Sequence, residues 1–218
     1  MSDFDFDVIL RALPFLWTGM QLTLLLTALA TMGGIVLGTV LAMARLWAPP
    51  PLPQLAAGYV NLLRSIPLIL VVFWFYFLVP LMLGRAVGAF PSALIAFTMF
   101  EAAYYCEIMR AGIQGVSRGQ LAAAQATGLT YLEAMRYVVL PQAFRAMIPV
   151  LLTQSIILFQ DTSLVYVVGL HDFLTAATVV AGRDNRVVEL YSFVAVVYLV
   201  LCVTASLGVR RLQSKFGR

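Results

Sequence analysis

The chain has 218 residues, of which 62% are hydrophobic and only 11% are charged. Soluble domains carry about 25% charged residues, so this composition excludes a soluble globular protein and places the chain in a lipid bilayer. The formal net charge of +4 requires no nucleic-acid partner, because basic residues that flank membrane spans account for it.

Five segments are apolar over about 20 residues, the length of a transmembrane helix. Their approximate positions are residues 15–44, 66–83, 91–109, 146–170 and 190–209. Residues 1–7 contain three aspartates and no basic residue, unlike a signal peptide, so we expect the first segment to remain as a span. The sequence therefore predicts one all-α integral membrane domain over residues 1–218, without an internal repeat.

The basic residues favour an N-terminus outside the membrane and a C-terminus in the cytoplasm. In that orientation the cytoplasmic side carries ten of them, namely Arg45, Arg64, Arg110, Arg118, Arg136, Arg145, Arg210, Arg211, Lys215 and Arg218. The outer side carries four, namely Arg11, Arg85, Arg183 and Arg186. The same orientation places the polar loop 117–141 in the cytoplasm.

A proline-rich stretch, residues 49–53, separates the first span from a lead-in at residues 55–63, which we expect to lie along the membrane surface. We interpret Ser65 as the N-cap of the second span and Pro67 as part of its first turn. Arg64 is predicted to be a structural anchor for lipid phosphate. A guanidinium beside a helix N-terminus would also suit a carboxylate.

Two glutamates fall in the third predicted span, where ionised side chains are costly. Glu101 is expected near mid-membrane, where it faces the protein interior or a wet cavity, as a hydrogen-bonded packing residue beside Tyr104 and Tyr105. Glu107 lies three residues before Arg110, and this spacing predicts a structural ion pair on one helix face.

The loop 117–141 has the pattern of two short capped helices. The spacings S-x-x-Q from Ser117 and T-x-x-E from Thr130 are those of capping boxes. Gly128 is placed to end the first helix in a left-handed conformation, and Pro141 is expected to end the second because it lacks an amide donor. The sequence predicts a helix–glycine–helix element on the membrane surface.

The fourth predicted span contains an unusual number of polar residues: Gln154, Ser155, Gln160, Asp161, Thr162 and Ser163. Gln154 and Asp161 are seven residues apart and therefore share a helix face. A polar face of this kind is typical of a path for a zwitterionic solute. It is equally typical of hydrogen bonding between membrane helices, so both interpretations stay open.

The sequence contains no motif for catalysis or cofactor binding. It has no G-x-x-x-x-G-K-[ST] phosphate loop, so we expect no ATP site, and the lone His171 has no second ligand at metal spacing. Transport against a gradient would need a partner that hydrolyses ATP. A secondary transporter or channel that uses the intramembrane acids remains an alternative, although such proteins normally show pseudo-symmetric halves. A purely structural assembly subunit is a further alternative.

The polar loop resembles the EAA loop of permease subunits of bacterial ABC importers. Ala123, Ala124, Gly128, Leu140 and Pro141 fall at the spacings of that motif. The chain departs from it at Ala122, where the family has Glu, and at Val138, where it has Ile. The resemblance implies that the loop contacts the ATPase through Gln120, Leu121, Ala123, Ala124, Gly128, Leu129, Leu140 and Pro141.

Three further segments resemble the permeases of polar amino-acid importers: NLLRSIPLIL at residues 61–70, AYYCEIMRAGI at 103–113, and LFQDTSLVYVVGL at 158–170. The last of these, with the RDN at residues 183–185, is most similar to permeases of glutamate/aspartate importers. With the polar face described above, Gln154, Asp161, Thr162 and Ser163 are our candidates for a substrate path. Arg64, Pro67, Glu107 and Arg110 are our candidates for structural roles.

The family resemblance also implies the type I ABC importer permease fold, in the bacterial inner membrane. The expected partners are ABC ATPase subunits, which would use the ATP, a sister permease or a second copy of this chain, a periplasmic solute-binding protein, the amino-acid substrate and membrane lipid. No cofactor is expected on this chain. The substrate could be glutamate and aspartate or another polar amino acid.

Overall fold

The computed structural model describes residues 4–216, which contain helices, turns and loops but no strand. Of the charged residues on which the predictions rest, Asp3 and Arg218 lie outside the described residues. The α-helices in chain order are α1 (Phe6–Trp47), α2 (Leu52–Arg64), α3 (Leu68–Phe73), α4 (Val79–Leu83), α5 (Ala89–Gln114), α6 (Arg118–Ala126), α7 (Tyr131–Ala134), α8 (Leu140–Asp161), α9 (Phe173–Asp184) and α10 (Val187–Phe216). Two π-helical segments, Trp74–Leu78 and Met135–Val139, and a 3₁₀ segment, Thr162–Val168, continue these helices. The predicted all-α class is confirmed.

Helix α5 lies at the centre of the molecule and packs most closely against α1. Eleven of its 26 residues are buried. The close approach depends on small residues of α1: a Cβ added at Gly34 would lie 3.0 Å from the Cβ of Glu101, and one at Gly38 would lie 2.8 Å from the Cβ of Tyr105. The absence of a side chain at these two positions lets the backbones come together, as is common between membrane helices.

The buried apolar side chains form two clusters. The larger joins the second half of α1 with α2, α3, α5, α8 and the 3₁₀ segment, and it includes Phe97 and Leu158. The smaller joins the first half of α1 with α9 and α10, and it includes Leu16 and Leu190. The first half of α1 therefore packs against α9 and α10, while its second half packs against the central helix α5.

Three helices of the described chain are long and apolar enough to cross a membrane: Phe6–Trp47, Tyr131–Val168 and Val187–Lys215. A fourth candidate is the pair Leu52–Arg64 and Leu68–Leu83, which is bent by 106°. Helix α5, which contains the predicted span 91–109, is about 39 Å long but is not among these candidates. The count of five spans and the orientation of the termini remain predictions.

The bend before α3 corrects one expectation. Ser65 is not an N-cap: it closes α2, with its amide on the carbonyl oxygen of Asn61 at 3.1 Å and its hydroxyl donating to the same oxygen at 2.7 Å. Pro67 is extended, with ψ of 135°, and immediately precedes α3. The residue before a proline disfavours helical backbone, so the chain breaks between α2 and α3.

Pro141 also behaves differently from the expectation. It does not end a helix; it lies in the first turn of α8, which continues α7 through the π-helical segment Met135–Val139. In that segment the amide of Leu140 bonds to the carbonyl of Met135, one residue further back than in an α-helix. This wider turn accommodates a proline that lacks an amide and would crowd the carbonyl four residues earlier.

Candidate functional site

A cavity of about 330 Å³ lies between α5 and α8, with the end of α2 at its edge. Its polar lining consists of Arg64, Tyr104, Glu107 and Gln154, and the remainder is apolar, including Met147. An apolar wall with a few fixed polar groups is typical of a site for a small ligand. No sequence pattern signals this cavity directly, because its wall comes from three separate segments.

Arg64 is the cation at the edge of this cavity. Its guanidinium carbon lies 5.3 Å from the centroid of the Tyr104 ring, which is cation–π geometry. Within residues 4–216 it has no ion pair. The planar group is therefore supported on one face while its N–H donors remain available to a carboxylate or a phosphate.

Gln154 connects the cavity to a buried carboxyl group. Its Nε2 donates to Oε1 of Glu101 at 3.2 Å, and Glu101 has no exposed surface. The other oxygen of Glu101, Oε2, has no hydrogen-bond partner in the described chain. Next to this pair, the hydroxyls of Tyr105 and Ser155 lie 3.0 Å apart. The expected hydrogen bonding of Glu101 is present, and its partner comes from α8.

Glu107 lies in a network of charges at the other end of the cavity. The predicted i,i+3 pair with Arg110 is present, with Nε of Arg110 at 3.1 Å and 3.2 Å from the two carboxylate oxygens. Arg45 of α1 adds a second contact, Nη1 to Oε2 at 2.6 Å. Arg110 also donates to Gln114. Two guanidinium groups thus compensate the charge of Glu107.

The other polar residues of the fourth predicted span point in several directions. Thr162 is buried and its hydroxyl donates to the carbonyl of Phe159 at 2.7 Å, while Nε2 of Gln160 donates to Sγ of Cys202 on α10 at 3.3 Å. Asp161 and Ser163 are half-buried at the junction of α8 and the 3₁₀ segment. Of the four residues predicted for a substrate path, Gln154 is the one that lines the α5–α8 cavity.

The predicted helix–glycine–helix element is formed by α6 and α7. Thr130 and Glu133 make the expected capping box. Ser117 is the N-cap of α6 but accepts from the amide of Gly119 at 3.3 Å, so the predicted S-x-x-Q box does not form. The side chain of Gln120 instead accepts from Gln142 at 3.4 Å.

Gly128 ends α6 as predicted. Its φ is +92°, and its amide bonds to Gln125 at 3.0 Å while the next amide, that of Leu129, bonds to Ala124 at 3.3 Å. These two bonds are the Schellman pattern, which a residue with a left-handed backbone completes. The glycine therefore fixes the angle at which α7 leaves α6.

The two faces of α6 differ. Gln120, Ala122 and Ala123 are exposed, whereas Ala124 is buried and Leu121 is half-buried. Among the other residues predicted for coupling, Gly128 and Pro141 are exposed and Leu129 and Leu140 are half-buried. The exposed face carries only small or amide side chains at positions 120, 122 and 123, so a partner could approach its backbone closely.

The element also contacts the end of α1. Leu121 lines a second cavity, of about 480 Å³, together with Trp47 and Tyr131. The indole Nε1 of Trp47 donates to the hydroxyl of Tyr131 at 3.2 Å. A displacement of α6 and α7 would therefore be transmitted to α1 as well as to α8.

The RDN segment at residues 183–185 ends α9. Arg183 donates to both oxygens of Asp184, at 2.7 Å and 3.0 Å, and holds the pKa of that carboxyl below its usual range. Asn185 has φ of 53° and forms the left-handed C-cap. No group of three or more potential metal ligands occurs in the described residues.

Comparison with known sequences gives a consistent result. The family described as "Binding-protein-dependent transport system inner membrane component" matches residues 34–218. The glutamate/aspartate import permease protein GltK of Escherichia coli O6:H1 is 49% identical over 222 residues, which cover 99% of each chain. The probable glutamine ABC transporter permease protein GlnM of Bacillus subtilis is 39% identical and covers 92% of each.

Solved structures of similar fold are also known. A crystal structure of an amino acid ABC transporter with histidines matches with a TM-score of 0.92 and 30% identity, over 97% of this chain and 98% of that one. An inward-facing structure of the MetNI methionine ABC transporter matches with a TM-score of 0.75 over the whole of both chains; at 21% identity this likeness concerns the fold alone.

Proposed function

This chain belongs to the family of binding-protein-dependent transport system inner membrane components, and on that premise we propose that it is the permease subunit of an ATP-driven importer of glutamate and aspartate. The observation that carries the proposal is the 49% identity to a glutamate/aspartate import permease over 99% of both chains. The alternative of an unrelated secondary transporter or channel gains no support from these matches.

The α5–α8 cavity supports an acidic amino acid as the substrate. Arg64 offers a charged donor group whose aromatic support orients it, and guanidinium groups bind carboxylates through paired hydrogen bonds. Gln154 adds an amide that can bond to either end of a zwitterion. We therefore assign Arg64 a role in substrate binding, in place of the lipid anchor that its sequence position suggested.

The acids near the cavity do not prevent an anion from binding there. Glu107 is held by Arg45 and Arg110, so one carboxylate is paired with two guanidinium groups and the cluster is net positive. Arg64 adds a further positive charge at the edge of the cavity. Glu101 lies behind Gln154 and does not line the cavity. Opposite charges at close range thus offset the repulsion that an isolated carboxylate would exert.

We assign the coupling to the ATPase to the exposed face of α6. Gln120 and Ala123 lie on that face, and α7 continues through the π-helical segment into α8 without a break. Since Gln154 lies on α8, about 21 Å along the helix from Leu140, a shift of the cytoplasmic element would be carried to the cavity. The two access states would differ in these contacts, as a driven transition requires.

The proposed assembly contains two ABC ATPase subunits, a sister permease or a second copy of this chain, and a periplasmic solute-binding protein. In it the N-terminus faces outward and loop 117–141 faces the ATPases. ATP is used by the partner subunits, and Asp161, Thr162 and Ser163 belong to the substrate path beyond Gln154. Helix α10, with 6% of its most apolar stretch buried, leaves most of its surface for lipid and other subunits.

Uptake of labelled L-glutamate by cells that lack and then regain the gene tests this proposal. We expect the chain to restore uptake that stops on ATP depletion and that excess aspartate blocks. Competition by glutamine or histidine alone would move the substrate to another polar amino acid. Restored uptake that survives ATP depletion would contradict the proposal.

A further inference from the structure

An apolar groove of about 460 Å³ lies between the membrane helices α1, α8 and α10. Its walls include Leu24, Leu152 and Leu201, one from each helix. Gly208 of α10 also lines it, and a Cβ added there would contact no neighbouring helix of the described chain within 4 Å. Small residues of membrane helices usually let a second helix approach closely. At Gly208 no helix of residues 4–216 does so, which leaves room for another molecule.

The two polar side chains that line the groove are already bonded within the protein. Ser155 donates its hydroxyl to the carbonyl of Leu151 at 3.0 Å and lies 3.0 Å from the hydroxyl of Tyr105. The sulfur of Cys202 accepts from Nε2 of Gln160 at 3.3 Å. These side chains leave a polar occupant without a partner, so the groove favours an apolar chain.

Helices α8 and α10 run in opposite directions along the groove. Gln160, near the end of α8, contacts Cys202 in the middle of α10. From this contact the groove extends to Leu152, earlier in α8, and to Gly208, later in α10. The beginning of α8 and the end of α10 therefore lie at the same end of the groove.

Two basic residues lie at that end. Arg145 is seven residues before Leu152 and Lys215 is seven residues after Gly208, so each lies close to the groove face of its helix. Along the helix axes they are about 22 Å and about 20 Å from the contact between α8 and α10. Both side chains are exposed, and neither takes part in an ion pair within residues 4–216.

These distances match one leaflet of a lipid bilayer. A bilayer is about 40–45 Å thick with its headgroup regions, so a headgroup lies about 20–22 Å from the midplane. A phosphate bound by Arg145 and Lys215 would place an acyl chain along the groove, with its end near the middle of α10. Residues 140–160 and 190–218 contain no acid, so these parts of α8 and α10 bring no negative charge to repel a phosphate.

We propose that an anionic glycerophospholipid occupies this groove, with an acyl chain between α1, α8 and α10 and its phosphate between Arg145 and Lys215. Basic pockets between membrane helices bind anionic headgroups, and each buried methylene of a chain adds to the affinity. A helix of a second subunit would also fill the apolar part of the groove. The lipid in addition accounts for two cations at the same level on neighbouring helices.

Competition between two lipids tests the headgroup contact. The complex that co-purifies with this chain in detergent is incubated with equal amounts of anionic dioleoylphosphatidylglycerol and net-neutral dioleoylphosphatidylcholine and is washed, and the retained lipid is counted by mass spectrometry. We expect wild type to prefer phosphatidylglycerol roughly 25-fold, about fivefold for each cation. Arg145→Ala and Lys215→Ala should each lower the preference about fivefold. Arg210→Ala is the matched control and should keep the preference, because Arg210 is exposed on the opposite side of α10 from Gly208.

Gly208→Leu tests the acyl-chain contact by filling the groove. The open space beside Gly208 should accommodate the new side chain, and retention of both lipids should fall several-fold. Gly182→Leu is the matched control, because a Cβ added at Gly182 also has no atom within 4 Å, but this residue lies on α9 outside the groove.

Equal retention of the two lipids by wild type would overturn the inference, as would undiminished retention by an intact Gly208→Leu complex. A wild-type complex that retains neither lipid would also overturn it and would assign the groove to a helix of another subunit. The proposed function would stand in each case, because none of these measurements involves glutamate or ATP.

Discussion

Among single residues, Arg64 favours an anionic substrate most strongly. Its support by Tyr104 restricts the guanidinium without using up its donors. A lysine would keep the charge but would lose the planar fork and the stacking on the ring. Substitutions at position 64 can therefore distinguish the contribution of the positive charge to substrate affinity from that of the planar guanidinium geometry.

We predict that Arg64→Ala lowers the affinity for L-glutamate by about 10- to 100-fold, the range expected for lost charge-assisted hydrogen bonds, and that Arg64→Lys recovers only part of it. Calorimetric titration of the purified complex measures this. Arg85→Ala is the control, since Arg85 is exposed after α4 and its side chain has no polar contact in the described chain. Unchanged affinity in Arg64→Ala would return Arg64 to the role of a lipid anchor.

Sequence spacing predicts the local contacts among these residues and misses the distant ones. The Glu107–Arg110 pair and the Thr130–Glu133 box are three residues apart, so helical geometry alone brings them together. The bond from Gln154 to Glu101 joins residues 53 positions apart on different helices. No periodicity encodes such a contact, because it depends on how α5 and α8 pack.

Among the helices of the described residues, a proline and a π-helical segment occur together twice. Pro80 follows the segment Trp74–Leu78, and Pro141 follows Met135–Val139, each after one intervening residue. In both places the wider turn lets the helix continue past a residue that lacks an amide. The sequence around Pro141 indicates a helix end. The local pattern does not show that the preceding turn widens and so accommodates a residue without an amide.

The π-helical segment before Pro141 sets the rotational register between α7 and α8, so it should matter for coupling. We predict that Pro141→Ala, which restores an amide and favours a regular α-helix, lowers the number of glutamate molecules transported per ATP several-fold. ATPase subunits should still co-purify with the variant. Transport and hydrolysis measured together in proteoliposomes give the ratio.

Pro80→Ala is the matched control for this change. It removes a proline with the same local geometry, but after a segment that packs against α3 and α5 rather than against α6 and α7. Its transport ratio should stay at the wild-type value. A Pro141→Ala variant with an unaltered ratio would show that the register of α8 does not carry the coupling.

In the molecule as a whole, a long helix that carries three charged residues lies at the centre. Helix α5 carries Glu101, Glu107 and Arg110, and it is shielded by α1, α2 and α8. Composition predicts the helical membrane class correctly, because that class depends on the total apolar content. Composition does not show which helix is surrounded by protein, since that follows from close contacts such as those at Gly34 and Gly38.

We propose that ATP hydrolysis by partner subunits drives acidic amino acids through this chain. Reconstitution of the purified complex in proteoliposomes, with a glutamate-loaded binding protein on one side and ATP on the other, tests this proposal. We predict glutamate accumulation that requires ATP and binding protein and that persists after ionophores collapse all ion gradients. Accumulation driven by an ion gradient in the absence of ATP would show that the chain is not part of an ATP-driven importer.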